Sequence, residues 1–185
     1  MDIQYVHCTA DGQAITGECH VVGMESLADS RFSFYDEANS SQTATSLCNT
    51  LKASSYHMWA SIMFPLPGIK ISNGVYVAGG FDEGTVNIWY HRGKATKDSI
   101  QWYPISEANV AISAQPCELI GGNIWSGTIL IYDEASAVAA NLISTMKTGS
   151  YFSYHSTIFT SPIKCVNGLY IVGTGGKGEI FWRPL

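Results

Sequence analysis

The 185 residues are 46% apolar and only 14% charged, with a formal net charge of −5 and no basic run. That balance argues against a nucleic-acid binder, whose affinity rests on clustered Lys and Arg neutralising phosphates. No segment reaches the roughly 18 apolar residues of a membrane helix, and so scarce a surface charge predicts a molecule covered by other copies or partners.

Near the N terminus no basic region precedes an apolar run, so no secretory leader is expected. The cysteines are Cys8, Cys19, Cys48, Cys117 and Cys165, an odd set. Buried thiols formed in a reducing cell are therefore expected rather than a disulfide framework.

In chain order, Phe32 and Phe34 alternate with Ser33 as a strand that ends at an acidic turn, Asp36-Glu37. The following SSQTATSLCNTLKA is rich in Ser and Thr, which favour turns and strands. It is read as a short strand or irregular excursion, with a helix of two to three turns as the competing reading. FPLPG at 64–68 reads as a loop, and Asn73-Gly74 between Ile71 and Val77 as a hairpin turn, because both positions tolerate positive φ. A glycine-rich turn then leads to a last strand, Thr85–Trp89, and the polar RGKATKDSIQ reads as a linker.

The second half repeats this order. Tyr35, Asp36, Glu37 and Ala38 correspond to Tyr132, Asp133, Glu134 and Ala135, and Leu47, Lys52, Tyr56 and Phe64 to Leu142, Lys147, Tyr151 and Phe159. Ile69, Lys70, Asn73, Gly74, Tyr76, Gly79 and Gly84 correspond to Ile163, Lys164, Asn167, Gly168, Tyr170, Gly173 and Gly178. Upstream, Cys19 and Gly23 match Cys117 and Gly121. The later stretch SAVAANLISTMKT has helical spacing and Ser136 as a cap, but two equivalent segments should share one structure. The predicted fold is all-β: two similar antiparallel β-sandwich or partly closed barrel units from an internal duplication, spanning 1–97 and 98–185.

Little in the residues points to catalysis. Asp36-Glu37 and Asp133-Glu134 are adjacent carboxylates whose side chains would point to opposite faces of a strand. They are read as turns in which the Asp side chain bonds to backbone N–H groups. None of His7, His20, His57, His91 and His155 recurs between the copies, so no metal ligand set and no cofactor is expected. GTGGKG at 173–178 lacks the Gly-Lys-Ser/Thr ending and following helix of a phosphate cradle, and reads as a hairpin turn. A hydrolase joining His57 or His155 to Glu37 or Glu134 is the most remote reading.

The aromatics are the remaining clue. Trp89 and Trp182 lie in matching final strands and read as shared core; Trp59 faces Tyr154 in the repeat and reads the same way. Trp102 and Trp125 have no counterpart, and with Phe64, Pro65, Leu66 and Pro67 they are the predicted interface residues. Flat indole rings also suit saccharide stacking.

The aliphatic-aromatic strand ending in YDEA, followed by F-x-x-P-I-K-x-x-N-G-L-Y-I and a glycine-bounded strand, resembles the small β-domains of tailed-bacteriophage decoration, neck and tail proteins. Ser126–Ala135 and Phe159–Trp182 carry the resemblance, with Ser30–Ala38 and Phe64–Trp89 as a degenerate first copy. It implies a non-enzymatic virion component, assembled in the host cytoplasm, acting as a homo-oligomer on capsid, neck or tail subunits without touching nucleic acid or membrane. The alternative expectation is a carbohydrate-binding module on a receptor-binding tail protein.

Overall fold

The computed structural model describes residues 2–27, 31–39, 46–52, 59–79, 81, 84–93, 96, 98–106, 109–135, 141–148 and 155–185. Among these the regular elements are all strands, paired antiparallel, and one of the sheets is partly curled into a half-barrel. The chain divides into two compact units, Met1–Ser99 and Ile100–Leu185.

In the first unit β1 (Gln4–Cys8), β3 (Cys19–Leu27), β6 (Trp59–Met63), β7 (Ile69–Ile71) and β9 (Thr85–His91) form one sheet, ordered β1-β9-β3-β6 with β7 also on β3. A second sheet is ordered β2 (Gly12–Thr16), β8 (Gly74–Gly79), β4 (Arg31–Asp36), β5 (Ser46–Lys52). The alternation of Val86 and Ile88 with Thr85 and Asn87 sends the apolar residues inward, as a period of two requires. Phe32, Phe34, Val75 and Val77 of the other sheet likewise have no exposed surface. Each large side chain so buried contributes about 1.5–3 kcal/mol, and Phe32 adds an edge-on contact with Phe81 at 4.7 Å between ring centroids.

The second unit comprises β10 (Gln101–Ser106), β11 (Val110–Ser113), β12 (Cys117–Tyr132), β13 (Leu142–Lys147), β14 (His155–Cys165) and β15 (Leu169–Pro184). The first unit has two sheets, whereas here the strands form a single six-stranded sheet, because β12 and β15 each run on for 16 residues. β10 and β14 pair with one half of this central pair, β11 and β13 with the other half. The core gathers Leu119, Ile124, Ile129, Ile131, Leu169, Ile171 and Ile180.

The segments after each YDEA are strands over Ser46–Lys52 and Leu142–Lys147, held on β4 and β12, in line with their leading reading and against the competing helix; residues 40–45 and 136–140 lie outside the described residues. Two expectations change. GTGGKG is not a hairpin turn. It lies inside β15, where its pairing with β12 shifts between Ile124 and Ser126 and between Thr128 and Ile129. Asn73-Gly74 and Asn167-Gly168 are not hairpins either: β7 pairs with β3 while β8 pairs with β2 and β4, and β14 and β15 both pair with β12. In the first unit the step is a corner at which the chain leaves β3 for β2 and β4, and in the second it passes from one end of β12 to the other. Gly74 and Gly168 have φ of 118° and 119°, and an added Cβ there would overlap Ile15 O or come within 2.5 Å of Ser113 O.

The acidic turns hold these corners. Asp36 Oδ1 accepts the backbone N–H groups of Ser72 at 3.1 Å and Asn73 at 2.6 Å, Oδ2 accepts Ser72 N–H at 3.0 Å, and Asn73 Nδ2 donates back to Asp36 O at 3.4 Å. Asp133 Oδ1 accepts Asn167 N–H at 2.7 Å, and Asn167 Nδ2 donates to Asp133 O at 3.4 Å. The aspartates do bond to backbone N–H groups, but at the other repeated motif rather than in their own turn.

Candidate functional site

The outward side of the β1-β9-β3-β6 sheet carries the most chemically varied surface described in the first unit. A shift in the pairing of β3 with β9 between Val21 and Gly23 brings Gly23 opposite both Trp89 and Met63, and Trp89 opposite Tyr5. Tyr5 and Met63 are 70% and 54% exposed, and Trp89 is half-buried. A Cβ on Gly23 would overlap the Met63 sulfur and stand 3.2 Å from Trp89 Cε3. The glycine thus lets indole and thioether close over the strand. Trp89 therefore lines the outer face rather than the core. In the second unit Phe181 stands opposite Gly121 in the same way that Trp89 stands opposite Gly23.

One pleat along lies a polar row, His7, Asn87, Glu25 and Ser61. His7 Nδ1 donates to Asn87 Oδ1 at 2.7 Å and Asn87 Nδ2 donates to Glu25 Oε2 at 3.2 Å. The amide is fixed by both neighbours, with His7 Nε2 and Glu25 Oε1 at the ends of the chain of bonds. These residues share a face with Trp89 because side chains two apart on a strand point the same way.

The same places in the second unit are filled differently. Trp102, Phe181, Gly121 and Ile158 form the apolar row, and Pro104, Glu179, Asn123 and Ser156 the polar one. Acid and amide have changed strands. Phe181, Glu179 and Asn123 have no exposed surface, so this face is closed in the second unit and open in the first.

Of the predicted interface residues, Phe64 is buried, with its N–H donating to Val22 O at 2.9 Å. Leu66 is 54% exposed, and Pro65 and Pro67 are half-buried in a turn closed by Gly68 N–H to Pro65 O at 2.9 Å. Trp102 is half-buried opposite Phe181; Trp125 falls in β12, its side chain outside what is described, as are those of Trp59 and His155 and the whole of His57. Glu37 is buried, and Glu134 Oε1 accepts Asn141 Nδ2 at 3.2 Å. No group of three or more His, Cys, Asp or Glu that could hold a metal ion occurs among the described residues.

Cys8, Cys19, Cys117 and Cys165 are free, buried thiols. Burial pushes Cys8 and Cys19 up to about 11, and a hydrogen bond to Cys117, its partner across β12 and β14, raises Cys165. Since the thiolate is the reactive form, folded protein at neutral pH is expected to leave Cys8 and Cys19 unmodified by iodoacetamide under conditions that alkylate both after denaturation. Peptide mass spectrometry reads this, and rapid labelling of either residue in folded protein contradicts it.

Neither a known protein family nor a curated protein matches the chain.

Proposed function

We propose that the chain is a non-enzymatic structural component of a tailed-phage particle, made of two copies of one antiparallel β unit and working by packing against other subunits in a symmetric oligomer. Matched details support the duplication: the two Asp-to-corner latches, the pairing shifts at Gln13/Ile15 and Ala111/Ser113, and those at Val21/Gly23 and Leu119/Gly121. The observation that carries the role is the contrast between the open Tyr5-Trp89-Met63 row and its buried counterpart at Phe181. An exposed aromatic and methionine row is the composition of an interface centre. Its partners are other copies and the capsid, neck or tail subunits, met in the virion after assembly in the host cytoplasm.

Trp89→Ala tests this. Native mass spectrometry of the parent chain is expected to give a closed oligomer, and the variant a monomer with affinity reduced about 30-fold or more, the effect of removing a central hot spot. The melting temperature should move little, because Trp89 lies outside the core. A monomeric parent with no affinity for particles overturns the reading.

A saccharide is the second reading, favoured by the indole standing beside the His7-Asn87-Glu25 row, since sugars stack on aromatic rings while hydroxyls bond to fixed amides and carboxylates. Glycan-array binding by the parent that Trp89→Ala abolishes supports it; a blank array removes it.

A further inference from the structure

One cross-strand row differs in kind between the two units. In the second it reads Arg183, Glu118, Lys164 across β15, β12 and β14. The carboxylate lies between two cations, and Arg183 Nε donates to Glu118 Oε2 at 2.6 Å. In the first unit the corresponding row across β9, β3 and β7 reads His91, His20, Lys70. The two imidazoles are stacked, with centroids 4.9 Å apart and planes within 6°, and are 4% and 1% exposed.

Each ring holds a segment outside the sheet. His91 Nε2 donates to Pro67 O at 2.8 Å, tying down the 64–68 turn. His20 Nε2 shares a 3.0 Å hydrogen bond with Ser99 Oγ, which also accepts Thr96 N–H at 3.0 Å while Ser99 N–H donates to Thr96 O at 3.1 Å. That turn ends the segment leading into the second unit. His20 Nδ1 is buried without a hydrogen-bond partner, so the doubly protonated ring, a donor at both nitrogens, leaves its Nδ1–H without an acceptor.

The surroundings favour an uncharged His20. β7 presents Lys70 directly across from His20, and β9 presents His91 with Arg92 beside it. Arg92 is engaged with Thr16 O at 2.6 Å and Glu18 O at 3.0 Å. The 64–68 turn carries no titratable side chain, and the 96–99 turn carries the exposed Asp98, with Lys94 and Lys97 outside the described residues. Glu18, just before β3, is the one carboxylate favouring charge on His20; burial, His91 and Lys70 oppose it and lower the His20 pKa below 6.5.

We propose that His20 and His91 form an acid-released clasp: with His20 neutral, the stacked pair ties the 64–68 and 96–99 turns to the sheet, and protonation of His20 puts a buried cation against the His91 ring and beside Lys70 that lets both turns go. The sign follows from linkage. His20 is lowered in the folded state, so the opened state binds more protons; the clasp is at full strength above pH 6.5 and weakens as pH falls below it.

The test is hydrogen exchange of peptides covering residues 64–68 and 92–101 between pH 7.5 and 5, corrected for intrinsic chemical rates. Opening in the parent chain is expected to rise up to about tenfold per pH unit as His20 gains its proton. His20→Glu combined with His91→Arg installs the ion pair of the second unit, and its corrected exchange should be flat over the same range. His20→Gln, which keeps a neutral partner for Ser99, serves if the double variant does not fold, and should show a shallower dependence than the parent. Flat exchange in the parent, or a variant as steep as the parent, overturns the clasp.

Discussion

Gly127→Ala is expected to destabilise the second unit by about 3 kcal/mol or more, whereas Gly175→Ala costs about 1–2 kcal/mol. Both glycines have positive φ, 67° and 58°, so both lose a conformation that L residues rarely adopt. They differ in surroundings. A Cβ on Gly127 would overlap Gly175 O and stand 2.7 Å from Gly176 N, while one on Gly175 meets nothing within 4 Å. The first change must push β12 away from β15 between the Ser126–Lys177 and Thr128–Gly175 pairs, in the stretch bounded by the two pairing shifts. It must also disturb Gly127 O, which accepts Thr148 N–H at 3.1 Å. For a unit of this size, each kcal/mol is worth about 4–8 °C in melting temperature, so calorimetry resolves the difference. Equal shifts for the two variants contradict the close-approach argument.

Asp36→Ala is expected to cost about 2–3 kcal/mol and Asp133→Ala somewhat less, since hydrogen bonds to a charged acceptor are worth roughly 1.5–3 kcal/mol. Asp36 receives two backbone N–H groups, and Asp133 receives that of Asn167. Removing either carboxylate leaves the exposed corner donors to water and frees the two strand ends from each other. Asn in place of Asp retains one acceptor oxygen and should recover part of the loss. Urea denaturation of the four single variants reads the order. If Asn proved as damaging as Ala at both sites, the latch would not be acting through its acceptor oxygen.

The two most conspicuous motifs of the sequence turn out to be partners. YDEA and I-K-x-x-N-G are both visible as repeats, yet nothing local reveals that Asp36 reaches Asn73 or Asp133 reaches Asn167. Asn-Gly was legible as a place of unusual backbone, correctly, but its flanking strands pair elsewhere. A local signal fixes dihedrals and leaves strand partners open. The same limit explains GTGGKG: glycines that permit a turn equally permit a long strand to bend where another backbone approaches. Trp89 was misplaced for another reason. Alternation along β9 puts it on the outer face with Thr85 and Asn87, on the side away from Val86 and Ile88, and only the pairing shows that it stands across from Gly23, where no side chain covers the strand.

The candidate face was less legible than the fold. Its residues come from β1, β3, β6 and β9, far apart in sequence, and Glu25 with Asn87 answers Asn123 with Glu179 only after strand exchange. Comparison by residue identity hides that correspondence, as it hides His20 and His91 standing where Glu118 and Arg183 stand.

By itself the sequence determined that the chain is all-β and where Phe32, Phe34 and the Thr85–Trp89 strand fall, because alternation and turn chemistry are properties of neighbouring residues. Tertiary structure alone decided which strands meet, that β12 and β15 run through where the first unit divides, and which sheet face stays open, because pairing register sums interactions between residues distant along the chain.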